Sequence, residues 1–251
     1  MSELVVLEVD AGNSSIKWRI VESSSLMVRG IVRWSELSSA GAFNDLQSLD
    51  FGRVVLASVA GEDKTNSLLA ALGDCFPCVE VERVYSAQEM GGVRFAYADS
   101  STLGVDRCLA MVASYAEFKS GALVLDCGSA MTADFVDASG GHLGGYIFPG
   151  LRLLKQGLQV GTACVPTDQA QGLELLPGSS TKSCVDRAIS LMVRSTLLSL
   201  LEYSDSVGVN CIVITGGDAD WVAGLVDVEF HYRQDLVLDG LSLMGVSEKV
   251  L

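Results

Sequence analysis

The stretch L-V-V-L-E-V-D-A-G-N-S-S-I-K-W-R-I-V-E-S occupies residues 4–23 and has the layout of a β-hairpin. An aliphatic run leads into Asp10, Gly12 supplies a turn, and a second run with alternating polarity leaves it. A strand that ends in D-x-G-N-S suits phosphate binding, because glycine lets backbone N–H groups approach anionic oxygens. Asp10 can hold Mg²⁺ there, while Asn13 and Ser14 add polar contacts. Taken alone, D-x-G also marks an ordinary tight turn.

The second half of the chain repeats this layout as A-L-V-L-D-C-G-S-A-M-T-A-D-F-V-D-A-S-G, residues 122–140. Aligning Asp10 with Asp126, an offset of 116 residues (126 − 10), places residues 17–20 on residues 133–136. A repeat of this spacing predicts two duplicated lobes rather than a short solenoid. We therefore expect an α/β fold of two ribonuclease-H-like lobes, residues 1–118 and 119–251, that face each other across a nucleotide cleft.

Hydrophobic periodicity predicts the other elements. Strands are expected at 27–34, 53–60, 79–85, 142–148 and 211–214, and helices at 42–48, 64–72 and 102–118, with two more beginning at Leu151 and Thr181. The helix over 102–118 has a strongly apolar face and is expected to join the lobes. The last strand runs into T-G-G-D, Thr215 to Asp218, where glycines can admit the adenosine portion of a nucleotide. An ordinary strand-to-helix turn explains T-G-G-D equally well.

The motif L-G-V-D-R, Leu103 to Arg107, allows two interpretations. Aspartate favours the amino terminus of a helix, and an adjacent arginine can simply pair with it or with solvent. Alternatively, Asp106 accepts the proton of a substrate hydroxyl and Arg107 binds a substrate carboxylate. In the second half, Asp126 is expected to face Asp10, with Ser129 as its hydroxyl partner.

Composition excludes several classes of function. A net charge of −14 disfavours binding to nucleic acid through phosphate contacts. No apolar run reaches the length of a membrane span, and a secretory signal is not expected. Seven scattered cysteines favour a reducing, cytoplasmic compartment, and no zinc or redox role is expected for Cys75 and Cys78. The P-loop motif and the protein-kinase catalytic-loop motif do not occur.

Five motifs, in order, resemble those of type III pantothenate kinases over essentially the whole chain. They are D-A-G-N-S at Asp10, L-G-V-D-R at Leu103, D-C-G-S-A at Asp126, G-G-Y-I-F-P-G at Gly144 and T-G-G-D at Thr215. The resemblance implies transfer of phosphate from ATP to the 4′-hydroxyl of pantothenate, the first step of coenzyme A synthesis. The sequence departs from the family pattern at Ser14 and Ser129, where threonine is usual. It also lacks a proline after Tyr97.

The resemblance also implies roles for individual residues. The loop that holds the ATP phosphates and Mg²⁺ comprises Asp10, Ala11, Gly12, Asn13, Ser14, Ser15, Ile16 and Lys17. Asp106 is the general base, and the pantothenate pocket is lined by Tyr97, Gly104, Val105, Asp106 and Arg107. Asp126 matches a site for a monovalent cation, K⁺ or NH₄⁺, and Ser129 matches a nucleotide contact. Thr181 matches a substrate contact supplied by the neighbouring subunit of a homodimer.

Two alternatives stay open. Some relatives are described as accessory factors in gene expression, so a non-catalytic protein with the same fold is the first. The second is another small-molecule kinase or a phosphatase of the actin/hexokinase/Hsp70 superfamily, to which the resembled family belongs. The presence of Asp10, Asp106, Arg107 and Asp126 favours an enzyme.

Overall fold

The structure is a computed structural model that describes residues 5–23, 25–37, 43, 46, 51–161 and 172–245. It divides into two compact units, each described by itself. The first comprises the described residues within 1–92, 97–113 and 235–251, and the second comprises those within 93–96 and 114–234.

The first unit is built on a mixed five-stranded sheet with the order β3-β2-β1-β4-β5. Its strands are β1 (Val5–Ala11), β2 (Ser15–Glu22), β3 (Ser25–Arg33), β4 (Arg53–Ser58) and β5 (Glu80–Arg83). The first three strands are antiparallel, whereas β1, β4 and β5 are parallel, so the helix α1 (Glu62–Cys75) connects β4 to β5. The helices α2 (Val105–Phe118) and α6 (Leu236–Gly245) follow later in the chain.

The second unit repeats this arrangement with the order β10-β9-β8-β11-β12. Its strands are β8 (Ala122–Cys127), β9 (Ala130–Val136), β10 (His142–Pro149), β11 (Ile212–Thr215) and β12 (His231–Tyr232). Its helices are α3 (Leu151–Gly161), α4 (Thr181–Ser206) and α5 (Ala219–Ala223), and a small hairpin of β6 (Glu89–Met90) and β7 (Val93–Arg94) precedes α2. Identical strand order in two mixed sheets confirms the prediction of a duplicated α/β fold.

The alignment of the two repeats is wrong beyond the turn. Asp10 lies opposite Lys17 in the first hairpin, but Asp126 lies opposite Thr132 in the second. The first turn therefore contains one residue more than the second, and Lys17 corresponds to Thr132 rather than to Ala133. Because a one-residue shift exchanges the two faces of a strand, the corrected alignment matches Arg19 with Asp134, both of which are buried.

Most predicted elements are confirmed, with small shifts of their ends. The helices α3 and α4 begin at the predicted Leu151 and Thr181, and a short 3-10 turn, Ser100–Thr102, occupies the predicted start of α2. The predicted helix at 42–48 lies outside the described residues, apart from the buried Phe43 and Leu46. The sequence did not predict α6, β12 or the β6–β7 hairpin.

The hairpin β1–β2 has one apolar face and one charged face. Leu7, Val9, Ile16, Trp18 and Ile20 belong to the hydrophobic core of the first unit. Strand alternation turns the intervening residues to the opposite face, where Glu8 lies opposite Arg19 and Asp10 lies opposite Lys17 on the neighbouring strand. The charged side chains on this face therefore need hydrogen-bond partners from another element.

The helix α6 supplies these partners. Arg19 donates from Nε to Glu8 Oε2 at 2.6 Å, from Nη1 to Asp239 Oδ1 at 2.6 Å and from Nη2 to Ser242 Oγ at 3.1 Å. Ser242 also donates to Glu8. Burial raises the pKa of Glu8, although the Ser242 hydrogen bond and the Arg19 charge act against it. Because both charges are buried, each depends on the other for its hydrogen bonds.

We predict that Arg19→Met lowers the free energy of unfolding by about 3–5 kcal/mol, since it leaves Glu8 buried without its cation. Urea unfolding followed by circular dichroism measures this loss. The matched control is Arg29→Met. Arg29 pairs with Asp235 at 2.8 Å but is 45% exposed, so its loss should change stability by no more than about 1 kcal/mol. Equal losses in the two variants would contradict the assignment.

Candidate active site

The Asp10 loop forms the turn between β1 and β2. Asp10 is largely buried near the carboxyl end of β1, whereas Asn13 and Ser14 are exposed. The Gly12 N–H donates to the Ser15 carbonyl oxygen at 3.0 Å, which closes the turn. The loop thus combines one carboxylate with short exposed polar groups, the donor set that hard cations and phosphates require.

Two side chains hold this loop from outside the motif. The indole Nε1–H of Trp34 donates to the Gly12 carbonyl oxygen at 2.9 Å, and Lys64 Nζ donates to the Asn13 carbonyl oxygen at 2.9 Å. The Lys64 ammonium also lies 5.1 Å from the centre of the Trp34 ring. Sequence reasoning missed both residues, because they are 22 and 51 positions from the residues they contact and nothing local marks them. They fix the backbone of the loop in one conformation.

The structure brings Tyr97, Asp106 and Arg107 together at the start of α2. The Arg107 N–H donates to Asp106 Oδ1 at 2.8 Å, and Arg107 Nη1 donates to the Tyr97 hydroxyl at 3.0 Å. Gly104 immediately precedes the helix, and a Cβ atom there would lie only 2.5 Å from Asp106 Oδ1. Glycine at this position therefore allows the Asp106 carboxylate its observed place.

A groove with a volume of about 340 Å³ opens beside Gly104 and Val105, at the carboxyl ends of β4 and β5. It is lined by Ser58, Val59, Glu62, Arg83, Val84, Tyr85, Ser86, Ser101, Thr102, Leu103, Gly104 and Val105. Ligands of open α/β sheets commonly bind at the carboxyl ends of parallel strands. Arg83, Tyr85 and Ser101 were not among the predicted site residues, although their place after strand β5 and before α2 is a signal that could have found them.

Three motifs of the second unit meet at the end of β8. Asp126 lies opposite Thr215 of the neighbouring strand β11, and the Asp218 N–H donates to the Cys127 carbonyl oxygen at 2.9 Å. Gly150, which ends the G-G-Y-I-F-P-G motif, donates its N–H to the Ser129 carbonyl oxygen at 3.2 Å. Within this unit, the predicted residue Asp126 is therefore a neighbour of T-G-G-D, and the predicted residue Ser129 is a neighbour of Gly150.

The two glycines of T-G-G-D have different surroundings. Gly216 has a φ of +98°, and a Cβ atom on it would lie 2.4 Å from the Cys127 backbone. Close packing against Cys127 therefore accounts for a glycine at position 216, and no ligand is needed to explain it. A Cβ atom on Gly217 would meet nothing within 4 Å, so packing does not explain the second glycine.

Thr181 is the first residue of α4 and is exposed. The preceding Ser180 caps the helix, since its hydroxyl accepts from the Ser183 N–H at 3.2 Å. Thr181 itself is therefore not required as the cap.

The fold defines the class of this protein. A Campylobacter jejuni structure described as a conserved Baf family transcriptional activator superposes with a TM-score of 0.58 at 20% identity, covering 94% of this chain and 95% of that chain. Together with the duplicated mixed sheets, this likeness places the chain in the actin/hexokinase fold class. At 20% identity the likeness shows the fold and carries no conclusion about function.

The chain belongs to the type III pantothenate kinase family, whose family model matches residues 6–202. A type III pantothenate kinase of Pseudomonas fluorescens (strain SBW25) is 39% identical over 247 residues, covering 95% of this chain and 98% of the relative. One of Hahella chejuensis is 36% identical over 246 residues, covering 95% and 96%. The expectations of an enzyme and of a pantothenate kinase are thereby confirmed.

Membership in this family supports phosphorylation of pantothenate in coenzyme A biosynthesis, and a kinase uses ATP as the phosphate donor. Among the described residues, no helix has both the length and the apolar character that a membrane span needs.

The partial burial of Asp218 predicts that the stability of the fold depends on pH. Burial raises the pKa of Asp218, against the opposing charge of Lys155. The folded state therefore binds this proton more tightly than the unfolded state, and ionisation of Asp218 destabilises the fold as pH rises above about 4. The Asp218 side chain makes no capping hydrogen bond to α5, so its replacement by asparagine removes no such bond.

We predict that Asp218→Asn becomes progressively more stable than the wild type between about pH 4 and pH 7. Thermal unfolding at a series of pH values measures the difference in Tm. Asp220→Asn, at an exposed position of the same helix, is the control. A difference in Tm that does not vary with pH would contradict the argument.

Proposed function

We propose that the chain transfers the γ-phosphoryl group of ATP to the 4′-hydroxyl of pantothenate, as the first step of coenzyme A synthesis, with Asp106 as the general base. The Asp106 carboxylate accepts the hydroxyl proton, the hydroxyl oxygen attacks the γ-phosphorus, and ADP leaves. The position of Asp106 beside the Arg107–Tyr97 contact and next to the groove is the observation that carries this proposal.

The loop from Asp10 to Lys17 is proposed to bind the ATP phosphates and Mg²⁺. The Asp10 carboxylate would hold the cation, and Asn13 and Ser14 are exposed to contact phosphate oxygens. When bound, Mg²⁺ neutralises phosphate charge, which suits a protein with a net charge of −14. The Lys64 and Trp34 hydrogen bonds keep the loop backbone in place for this purpose.

The acceptor is proposed to lie in the groove, against Gly104, Val105, Asp106 and Arg107, with Tyr97 forming part of the pocket wall. Gly104 and Val105 line the groove directly. The Arg107–Tyr97 hydrogen bond orients both side chains beside Asp106. The hydroxyl end of the acceptor thus meets the proposed base at the start of α2.

Residues of the second unit are proposed to act on the nucleotide and the acceptor. Asp126 would bind a monovalent cation, K⁺ or NH₄⁺, and Ser129 would contact the nucleotide. Thr181 would contact pantothenate bound to the partner copy of a homodimer, which suits its exposure at the start of α4. Exposed apolar side chains of the same unit support an interface, among them Ile147, Leu191 and Met192, which are 63%, 50% and 56% exposed.

The cytoplasm is the proposed compartment. All six cysteines in the described part of the chain are free thiols, as a reducing environment favours. Cys75 and Cys78 are among them, and the described residues contain no group of three or more side chains suited to a metal ion.

A coupled ADP-release assay tests the proposal. We expect turnover with pantothenate and little or none with a panel of sugars and short hydroxy acids. Turnover should vanish without Mg²⁺, and comparison with and without K⁺ tests the Asp126 assignment. ADP release that is equally fast with a sugar would favour another kinase of the superfamily, and none with any acceptor would favour a non-catalytic relative.

We predict that Asp106→Asn lowers kcat by about 10²–10⁴-fold, because asparagine cannot accept the hydroxyl proton. The same assay measures this loss, and circular dichroism checks the fold. Asp74→Asn, at an exposed position near the end of α1, is the control and should retain full turnover. Near-normal turnover of Asp106→Asn would show that another group is the base.

A further inference from the structure

The ammonium group of Lys64 lies at the Asp10 loop, although Lys64 belongs to the helix α1 and not to the D-A-G-N-S motif. Its Nζ donates to the Asn13 carbonyl oxygen at 2.9 Å and lies 5.1 Å from the centre of the Trp34 ring. Lys64 and Asn13 are both exposed. A ligand that contacts Asn13 can therefore also reach the Lys64 ammonium.

A lysine at this position is unfavourable for α1 itself. The helix begins at Glu62 after the N-cap residue Gly61, so Lys64 is the third residue of the first turn. The amino terminus of a helix carries a partial positive charge, which favours Glu62 and Asp63 but repels a cation. Contacts outside the helix have to compensate for this repulsion, and a bound anion is a contact of that kind.

The protein uses only part of the donor capacity of Lys64. A lysine ammonium has three N–H donors. Among the residues that the structure describes, Lys64 donates to the Asn13 carbonyl oxygen and forms no ion pair with a carboxylate. The nearby Glu62 pairs with Arg83 instead, at 3.0 Å. The remaining donors of Lys64 can therefore serve a ligand.

The charges within the motif leave a phosphate ligand short of cations. Asp10 and Lys17 lie opposite each other on β1 and β2, so these two charges of opposite sign offset one another. The chain carries a net charge of −14, and Mg²⁺ neutralises only part of the charge of a triphosphate. Lys64 adds a second cation to the loop, at Asn13.

We propose that Lys64 is a phosphate-binding residue, supplied by α1, whose ammonium donates to an oxygen of the nucleotide's phosphate chain. This inference rests on the proposed function, because it assumes that the Asp10 loop binds the ATP phosphates. The ammonium keeps its hydrogen bond to the Asn13 carbonyl oxygen and contacts the phosphate with another of its donors. The face of the Trp34 ring limits the movement of the ammonium.

The test measures the binding of Mg·ATP, Mg·ADP and adenosine by isothermal titration calorimetry, without pantothenate. We expect Lys64→Met to raise Kd for ATP and for ADP about tenfold or more, as loss of a hydrogen bond to a charged group predicts. Binding of adenosine, which has no phosphate, should not change. An unchanged Kd for ATP, or an equal weakening of ATP and adenosine, would overturn the proposal.

Trp34→Phe separates a phosphate contact from support of the loop. It removes the indole hydrogen bond to the Gly12 carbonyl oxygen but no charge. Salt screens the attraction between a cation and a phosphate, so the affinity of Lys64→Met for ATP should fall less steeply with added NaCl than that of the wild type. Trp34→Phe should keep the wild-type salt dependence. If Lys64→Met also keeps it, Lys64 supports the loop only, and the proposal is wrong.

Lys119→Met is the matched control for net charge. Lys119 is likewise a cation beside an aromatic ring, 4.6 Å from the centre of Tyr115, but it belongs to the second unit. This variant should bind ATP as the wild type does, and a weakening equal to that of Lys64→Met would trace the effect to overall charge. Lys64→Arg keeps the cation and should retain most of the affinity. Lys64→Gln removes the same charge and replaces Lys64→Met if that variant fails to fold.

The outcomes separate the two proposals. A wild-type enzyme that phosphorylates pantothenate, with an unchanged Kd for ATP in Lys64→Met, overturns the role of Lys64 and leaves the proposed function intact. A wild-type protein that binds no ATP overturns the proposed function and the role of Lys64 with it.

Discussion

The buried ion pair of Glu8 and Arg19 is the constraint on which the first unit depends. These residues face each other across β1 and β2, on the side of the hairpin opposite to the hydrophobic core. Two buried charges are tolerated only when their remaining donors and acceptors are satisfied, and α6 satisfies them with Asp239 and Ser242. Asp10 lies two residues beyond Glu8 on the same strand, so the pair also fixes the strand that presents the loop proposed to bind phosphate.

The second unit meets the same constraint with different residues. Asp134 occupies the position that corresponds to Arg19, and it pairs with His142 of the adjacent strand β10 at 3.1 Å. Both are buried. Each duplicated hairpin therefore keeps a buried charged group at the same place, but one pairs with its own hairpin and a distant helix, and the other with the next strand. The fold was duplicated, whereas the chemistry of the buried pair was not kept.

In the proposed function, nucleotide binding and proton transfer belong to different elements of the first unit. Trp34, the residue after β3, and Lys64 of α1 hold the Asp10 loop, and the amino terminus of α2 holds Asp106 and Arg107. The groove lies beside the ends of β4 and β5 and the start of α2. An acceptor bound there would meet the proposed base, Asp106, at one end.

The sequence by itself determined the duplicated hairpins, the starts of α3 and α4, the family and the residues of L-G-V-D-R, because each depends on local spacing. It did not determine the register of the second hairpin, since a turn shorter by one residue leaves the strand pattern intact. Tertiary structure alone decided the partners of Arg19, the support of the Asp10 loop by Trp34 and Lys64, and the place of Arg83 in the groove. These contacts join residues far apart in the chain, and only the packing of β-strands and helices brings such residues within hydrogen-bonding distance.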